Sequence, residues 1–274
     1  MILSFHPCIR ADIQIILGDR LPNKEELRLI RDAKAIILPQ GCSEELFYIC
    51  SGSKACLFPE YRIRFRYPGK VGQIRLFEEF NLPHPCSICW NNLEDLIKNW
   101  DSLSHKLPFI LKEDKKHEGA GVYIVKDIGD IWRISDRLGT SDPLITQELI
   151  ECGGNALRVI IMGNKLFSFW KRPSRPRQLI TSISTNAMID YHWMPHLQDR
   201  GRKLARQLVL ATGINLAAVD MIFQDNSPLL LEINYYFGRR GIGGTERYYQ
   251  LLYGSIKDWL RSKDIRPDTV ELIY

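Results

Sequence analysis

Two carboxylates and an amide gather in one stretch of this chain, "AAVDMIFQDNSPLLLEIN" at residues 217–234. Two apolar runs flank a polar turn at 224–228, the pattern of a β-hairpin. A turn centred on Asn226 sets Asp220 opposite Glu232, and side-chain alternation puts Asn234 on the face of Glu232. The other face then receives Val219, Met221, Leu231 and Ile233, a core set. Like charges opposite each other on a sheet are destabilising, and burying them unpaired costs on the order of several kcal/mol per ion. Either one carboxyl holds a proton or a cation sits between them; a hairpin face open to solvent needs neither. Oxygen-only ligands, few in number, suit Mg²⁺ completed by waters and phosphates. A one-residue slip in register would scatter the group.

Further chemistry lies upstream. Lys112 ends the strand-like "PFILK", and the loop "EDKKHEGAG" separates it from "VYIVKD". Small residues at Gly119, Ala120 and Gly121 let backbone amides approach an anion such as phosphate, although an ordinary hairpin turn explains them too. Lys70 opens the helix-like "GKVGQIRLFEEF". The basic run "KRPSRPR", Lys171 to Arg177, can grip an acidic acceptor or be a solvated loop. "CSIC" at 86–89 is a lone CxxC without a second pair, and in "HWMPH" Pro195 between His192 and His196 disfavours a helix. Neither is read as a metal centre, and no Ser-His-Asp or Cys-His set is recognisable.

The elements that must position these residues fall into two styles. The first part alternates apolar runs ("DIQIILG", "AKAIILPQG", "SKACLFP") with the helix-like "NKEELRLIRD". That is the pattern of a small open α/β domain with a parallel sheet, ending near the basic, proline-containing 61–70. Next come helices at "GKVGQIRLFEEFNLP" and "NNLEDLIKNW". Strands follow at "PFILK", "GVYIVKD", "PLITQELI" and across "LRVIIMGNKLFSFWKR", whose central "GN" signals a hairpin. The helix "DRGRKLARQLVLATG" precedes the acidic hairpin, and a closing helix runs from about residue 246 to 261.

At 274 residues the chain is long enough for two domains, and with 45% hydrophobic and 25% charged residues it reads as soluble and globular. A net charge of +5 suits an anionic ligand but is too small to argue for nucleic acid, so no nucleic-acid partner is expected. No apolar run approaches the about 18 residues of a membrane span, so no membrane partner is expected. The start, "MILSFHPCIR", lacks the basic region and apolar stretch of a signal peptide, and the seven cysteines lack framework spacing. Reduced thiols and a cytoplasmic location follow as expectations.

In this order, the pieces resemble the ATP-grasp superfamily, in particular the branch of ribosomal-protein glutamate ligases and glutathione synthetases. "VDMIF" and "LLEIN" are similar to its metal pattern of an aspartate followed by Glu-x-Asn. "FILK" resembles the strand with the second ATP lysine, and "GKVGQIRLFEEFNLPHP" the helix with the first. "QELI" resembles the adenine hinge, and "LRVIIMGNKLFSFWKR" the hairpin with its arginines. The resemblance covers about residues 67–262 and implies an ATP-grasp fold: two α+β subdomains, about 68–150 and 151–270, clamp ATP behind a small amino-terminal α/β domain at 1–67.

The resemblance further implies ligands by position. Lys70, Lys112, Gly119 and Gly121 would meet ATP phosphates; Gln147, Glu148, Leu149 and Ile150 would form the adenine hinge, with backbone groups of Glu148 and Ile150 pairing with the base, and Glu151 would take the ribose. Asp220, Glu232 and Asn234 would hold one or two Mg²⁺, with Mn²⁺ as the alternative, and Arg158 and Arg172 would stabilise the transferred phosphoryl group. Lys171, Arg177 and Asn186 would line the substrate side. The implied activity is an ATP-dependent carboxylate–amine or carboxylate–thiol ligase working through an acyl phosphate and releasing ADP and phosphate. Its partners would be a small-molecule or peptide carboxylate and an amine acceptor, with a homo-oligomer left open.

Departures cluster at the acceptor side. Ala156 stands where an aspartate often precedes the first arginine, "RPRQLITSISTNAMID" replaces the glutamate ligases' substrate loop, and "YYFGRRGIGG" follows Asn234. Residues 147–176 also resemble inositol polyphosphate kinases, although "EIN" stands where those tend to have Asp-x-Asn. A phosphotransferase is therefore the second reading. A non-catalytic nucleotide-binding protein is the third, with the metal trio against it.

Overall fold

The amino-terminal alternation becomes a four-stranded parallel sheet in the computed structural model, which describes residues 1–116, 121–139, 141–174 and 187–273. Its strands are β1 (Ile2–Ser4), β3 (Ile13–Gln14), β4 (Ala35–Ile37) and β5 (Cys56–Phe58), in the order β3-β1-β4-β5. The short β2 (Ile9–Arg10) instead pairs with the terminal β15 (Glu271–Leu272). The "MILS" segment, not read as a strand above, is a central one: Leu3 pairs with both Ile13 and Ile36 and is fully buried. A strand covered on both faces reads as a plain apolar run with no alternation, which is why it carries little signal. Helix α1 (Lys24–Asp32) starts with a capping box between Asn23 and Glu26, and α2 (Glu44–Ser51) with Ser43 accepting from the Leu46 N–H.

After α3 (Arg62–Arg66) and α4 (Gly69–Glu79) comes an antiparallel sheet of β6 (Ser87–Trp90), β7 (Phe109–Glu113), β8 (Val122–Val125) and β9 (Leu144–Glu148), in the order β6-β9-β7-β8. Leu96 of α5 (Leu93–Lys98) and Ile131 of α6 (Ile128–Ser135) pack on Leu111, Val125 and Leu144 on one face of it. Alternation turns Lys112 and Gln147 to the other face.

The third sheet holds β10 (Ala156–Met162), β11 (Lys165–Arg172), β12 (Met188–Asp190), β13 (Leu216–Gln224) and β14 (Ser227–Asn234), in the order β12-β11-β10-β13-β14. Helix α7 (Pro195–Thr212) covers one face through Leu197, Leu204, Ala205 and Leu208. Each leucine so buried stabilises by about 1.5–3 kcal/mol. A Cβ on Gly201 would lie 2.2 Å from Leu157 Cδ2, so only glycine lets α7 settle on β10. Pro195 starts this helix rather than blocking it, because the first turn needs no donor at that position. His192 lies before the helix and His196 within it, so the pair has no shared helical spacing. Helix α8 (Gly244–Arg261) covers the other face together with residues of the amino-terminal sheet. Among the described residues no helix is long and apolar enough to cross a membrane.

Candidate functional site

The acidic hairpin turns through Asp225 and Asn226, both at positive φ (49° and 64°), the geometry of a tight two-residue turn. Asp220 pairs with Glu232, and Ala218 with Asn234. A bulge between Asp220 and Met221 then shifts the register, so Met221 faces Leu230. Leu230, not Leu231 as the alternation predicts, joins Val219, Met221 and Ile233 in the core beneath α7. Asp220, Glu232 and Asn234 share the opposite face.

Asp220 is buried, with 4% of its surface exposed, and is compensated by cations of the chain itself. Arg158 grips it as a fork, Nε to Oδ1 at 2.8 Å and Nη2 to Oδ2 at 2.7 Å, and Lys171 Nζ donates to Oδ2 at 2.8 Å. Asn234 Nδ2 stands 3.5 Å from the same oxygen. Burial alone would raise the carboxyl, but Arg158 and Lys171 outweigh it and hold Asp220 well below the usual carboxylate range. Lys171, expected on the substrate side, is thus a buried ion-pair partner. Strand alternation sends its neighbour Arg172 to the α7 face, where it donates to Asp190 at 3.0 Å and stacks on Trp193 at 4.5 Å. The structure therefore brings Arg158 to Asp220 and leaves Arg172 on the other side of the sheet.

The two lysines approach the same face from the second sheet and α4. Lys112 donates to Gln147 Oε1 at 2.6 Å, and Gln147 in turn donates to Ser87 Oγ at 2.8 Å. Gln147 is buried and acts on Lys112 rather than standing free for a ligand. Burial pushes the Lys112 ammonium down to about 8, with Glu232 opposing and Lys70 adding to the shift. Lys70 donates to the carbonyls of Glu113 (2.8 Å), Asp114 (3.3 Å) and Lys116. It too is lowered, by burial, against the pull of Glu232, Asp114 and Glu113. Glu232 is the carboxylate whose field reaches Lys70, Lys112, Arg158 and Lys171 alike.

Helix α4 is what joins the sheets. Asp114 accepts the Val71 N–H at 2.8 Å, capping the helix from the β7–β8 loop. Gly69 sits at φ +69° against that carboxylate, and a Cβ there would come within 2.4 Å of Asp114 Oδ1. From the next turn, Gln73 donates to the Ile233 carbonyl at 2.9 Å and accepts the Ile233 N–H at 2.8 Å. Lys70 is thereby fixed between the loop after Lys112 and the strand of Glu232. Neither Asp114 nor Gln73 stands out in the sequence, because their partners lie 43 and 160 residues away.

At the hinge, the Glu148 N–H donates to the Cys86 carbonyl at 2.9 Å, and the Ile150 carbonyl accepts from Cys152 at 2.9 Å. The expected backbone pairing narrows to the Glu148 carbonyl and the Ile150 N–H. Ile150 packs with Ala156 and Ile222 in a small apolar cluster bordered by Cys152, Leu229 and Leu231, beside the charged group. Leu149 is half-buried and Glu151 exposed. Gly121, at φ +68°, closes the β7–β8 loop by accepting the Glu113 N–H at 2.8 Å. Gly119, Arg177 and Asn186 lie outside the described residues.

The donor set fits a hard divalent cation: two carboxylates and an amide, all oxygen donors, on one sheet face. It is not a preformed cage, since both Asp220 oxygens already accept from Arg158 and Lys171. Among the described residues no group of three or more His, Cys, Asp or Glu side chains could hold a metal. A cation here needs an anion to arrive with it and balance the surrounding lysines and arginine.

The family model described as "RimK-like ATP-grasp domain" matches residues 70–250. A probable alpha-L-glutamate ligase 2 of Hahella chejuensis is 28% identical over 137 residues, 49% of this chain and 44% of that protein. A probable alpha-L-glutamate ligase of Shewanella loihica is 25% identical over 154 residues, 56% of this chain and 49% of that one. The match thus spans about half the length of these relatives. In structure the chain is similar to a RimK domain ATP-grasp protein from Sphaerobacter thermophilus, with a TM-score of 0.59 at 16% identity over 94% of this chain and 98% of that one. It is also similar to the ADP complex of N5-carboxyaminoimidazole ribonucleotide synthetase, with a TM-score of 0.64 at 14% identity over 96% and 68%. The fold is that of the ATP-grasp proteins, and the chain belongs to the RimK-like ATP-grasp family.

Proposed function

We propose that this chain is an ATP- and Mg²⁺-dependent carboxylate–amine ligase that works through an acyl phosphate. The observation that carries the reading is the convergence of Lys70, Lys112, Arg158, Asp220 and Glu232, from separate parts of the chain, on one cleft beside an apolar shelf. The shelf of Ile150, Ala156 and Ile222 takes the flat base, whose amino group donates to the Glu148 carbonyl while the Ile150 N–H donates to a ring nitrogen. Lys112, oriented by Gln147, and Lys70, held by α4, bind the phosphates. Asp220, Glu232 and Asn234 would hold Mg²⁺, which when bound neutralises the β- and γ-phosphates.

A substrate carboxylate oxygen attacks the γ-phosphorus; the bond from that phosphorus to the β–γ bridging oxygen breaks, and ADP leaves. Arg158, whose Nε–Nη2 edge is held by Asp220, offers its remaining Nη1 donors to the charge gathering on the transferred group. The amine nitrogen then attacks the acyl carbon, the carbon–oxygen bond to phosphate breaks, and the amine's proton leaves to solvent. We place the reaction in the cytoplasm, where all seven cysteines can stay in the unpaired state they have here.

Incubation with Mg-ATP, hydroxylamine and a panel of carboxylic acids is the test. A hydroxamate formed with stoichiometric ADP supports the ligase. A stable phosphorylated product without hydroxamate makes it a kinase, and nucleotide binding with no turnover on any acid makes it a binding protein.

A further inference from the structure

A cavity of ≈ 630 Å³ opens between the loop after β4, at Gln40, and the turn that follows β14, at Tyr236 to Thr245. It begins two residues beyond Asn234. Two arginines, Arg239 and Arg240, line it, and no carboxylate among the described residues does. Arg240 is exposed, whereas Arg239 is half-buried and held. Its guanidinium lies over the rings of Tyr248 at 4.6 Å and Tyr249 at 4.7 Å, and one N–H donates to the Tyr249 hydroxyl at 3.2 Å. Stacking on two rings fixes the plane of the fork and uses few of its five donors.

Apart from Arg240, the rest of the cavity lining is uncharged. Gln40 is tied at both ends, accepting from the Tyr248 hydroxyl at 2.9 Å and donating to the Tyr235 carbonyl at 3.0 Å. Buried His6 is pushed down to about 4, by desolvation first and by the charge of Arg239 second. Tyr236, 75% exposed, offers an apolar surface at the rim.

We infer that this cavity binds one of the two organic substrates through an anionic group, a carboxylate or a phosphate, docked on the Arg239 fork. The inference rests on the ligase reading for its place beside the phosphoryl-transfer site, and it adds the chemical class of the substrate. Tyrosine-held arginine presents two parallel N–H donors, the arrangement that matches both oxyanions. A substrate whose remote anion is anchored there would carry its reacting group back toward Asn234.

The test uses the full chain saturated with Mg-ADP, so that the phosphate cleft is filled, and titrates it calorimetrically with inorganic phosphate and separately with glutarate. Wild type should bind at least one of the two. Arg239→Gln should weaken that anion about tenfold or more, as loss of charge-assisted bonds does, while ADP affinity stays within about twofold. Lys112→Gln, titrated without nucleotide, should show the reverse pattern, losing ADP and keeping the anion. Tighter phosphate marks a phosphorylated substrate and tighter glutarate a carboxylate one. If Arg239→Gln fails to fold, Arg239→Lys keeps the charge and much of the stem, and loss of the fork should still weaken the anion about threefold. No anion binding to ADP-loaded wild type, or equal binding by wild type and the Arg239 variant, overturns the inference. Failure of wild type to bind ADP would instead count against the ligase reading, and Arg239-dependent anion binding would then survive on its own.

Discussion

Asp220 and Glu232 face each other across the hairpin yet live in different surroundings. Asp220 is the counter-ion of two buried cations, so Asp220→Asn leaves Arg158 and Lys171 facing a neutral amide and should cost about 3–5 kcal/mol, read by urea unfolding. Glu232, half-buried and outside those bonds, should cost less than about 1 kcal/mol as Glu232→Gln while still abolishing turnover. Equal losses of stability would contradict this division. Lys112 adds a pH dependence. Its folded pKa of about 8 lies below the ordinary 10.5, so the cost of burying its charge is fully present below pH 8 and is relieved as pH rises toward 10.5. Phosphates favour the ammonium form, so ADP affinity should be flat below about pH 7 and fall by up to about tenfold per unit above 8. Lys112→Arg, which does not titrate there, should remove that slope.

Among the elements, α4 decides the geometry, because one end is capped by Asp114 and the next turn brackets Ile233. Asp114→Ala should cost about 1 kcal/mol as a lost cap, and it should also weaken ADP binding, since Lys70 then loses its fixed loop. A stability loss with ADP affinity unchanged would mean that α4 does not position Lys70. The hairpin was legible from its turn residues and alternation, including the Asp220–Glu232 pair. Its bulge was not, since nothing local in "LLLEIN" marks Leu231 as an inserted residue. The strand of Lys112 and the helix of Lys70 could also be read from periodicity. Arg172 was misplaced because motif spacing does not say which face of β11 a side chain occupies, whereas the pairing of Ala156 with Lys171 does.

For the whole molecule, apolar runs mark most strands but not β1, β6 or β12, and they leave open the order of strands within the three larger sheets. The contacts between them, such as Gln73 with Ile233 and Tyr248 with Gln40, join residues too far apart for any local pattern to show. On the proposed reading a nucleotide engages Lys70 and Lys112, which face Glu232 between the second and third sheets. Mg-ADP at about a hundred times its Kd should therefore stabilise the chain by about 2.7 kcal/mol, and Lys112→Gln should show little of that gain at the same ADP concentration. The most direct measurement is a crystal structure with Mn²⁺ and a nonhydrolysable ATP analogue, with the metal located by its anomalous signal. The account predicts a peak within bonding distance of Asp220 and Glu232, with the phosphates against Lys70 and Lys112. A nucleotide bound elsewhere, or an Asp220 still closed on Arg158 and Lys171 with no metal beside it, would contradict it.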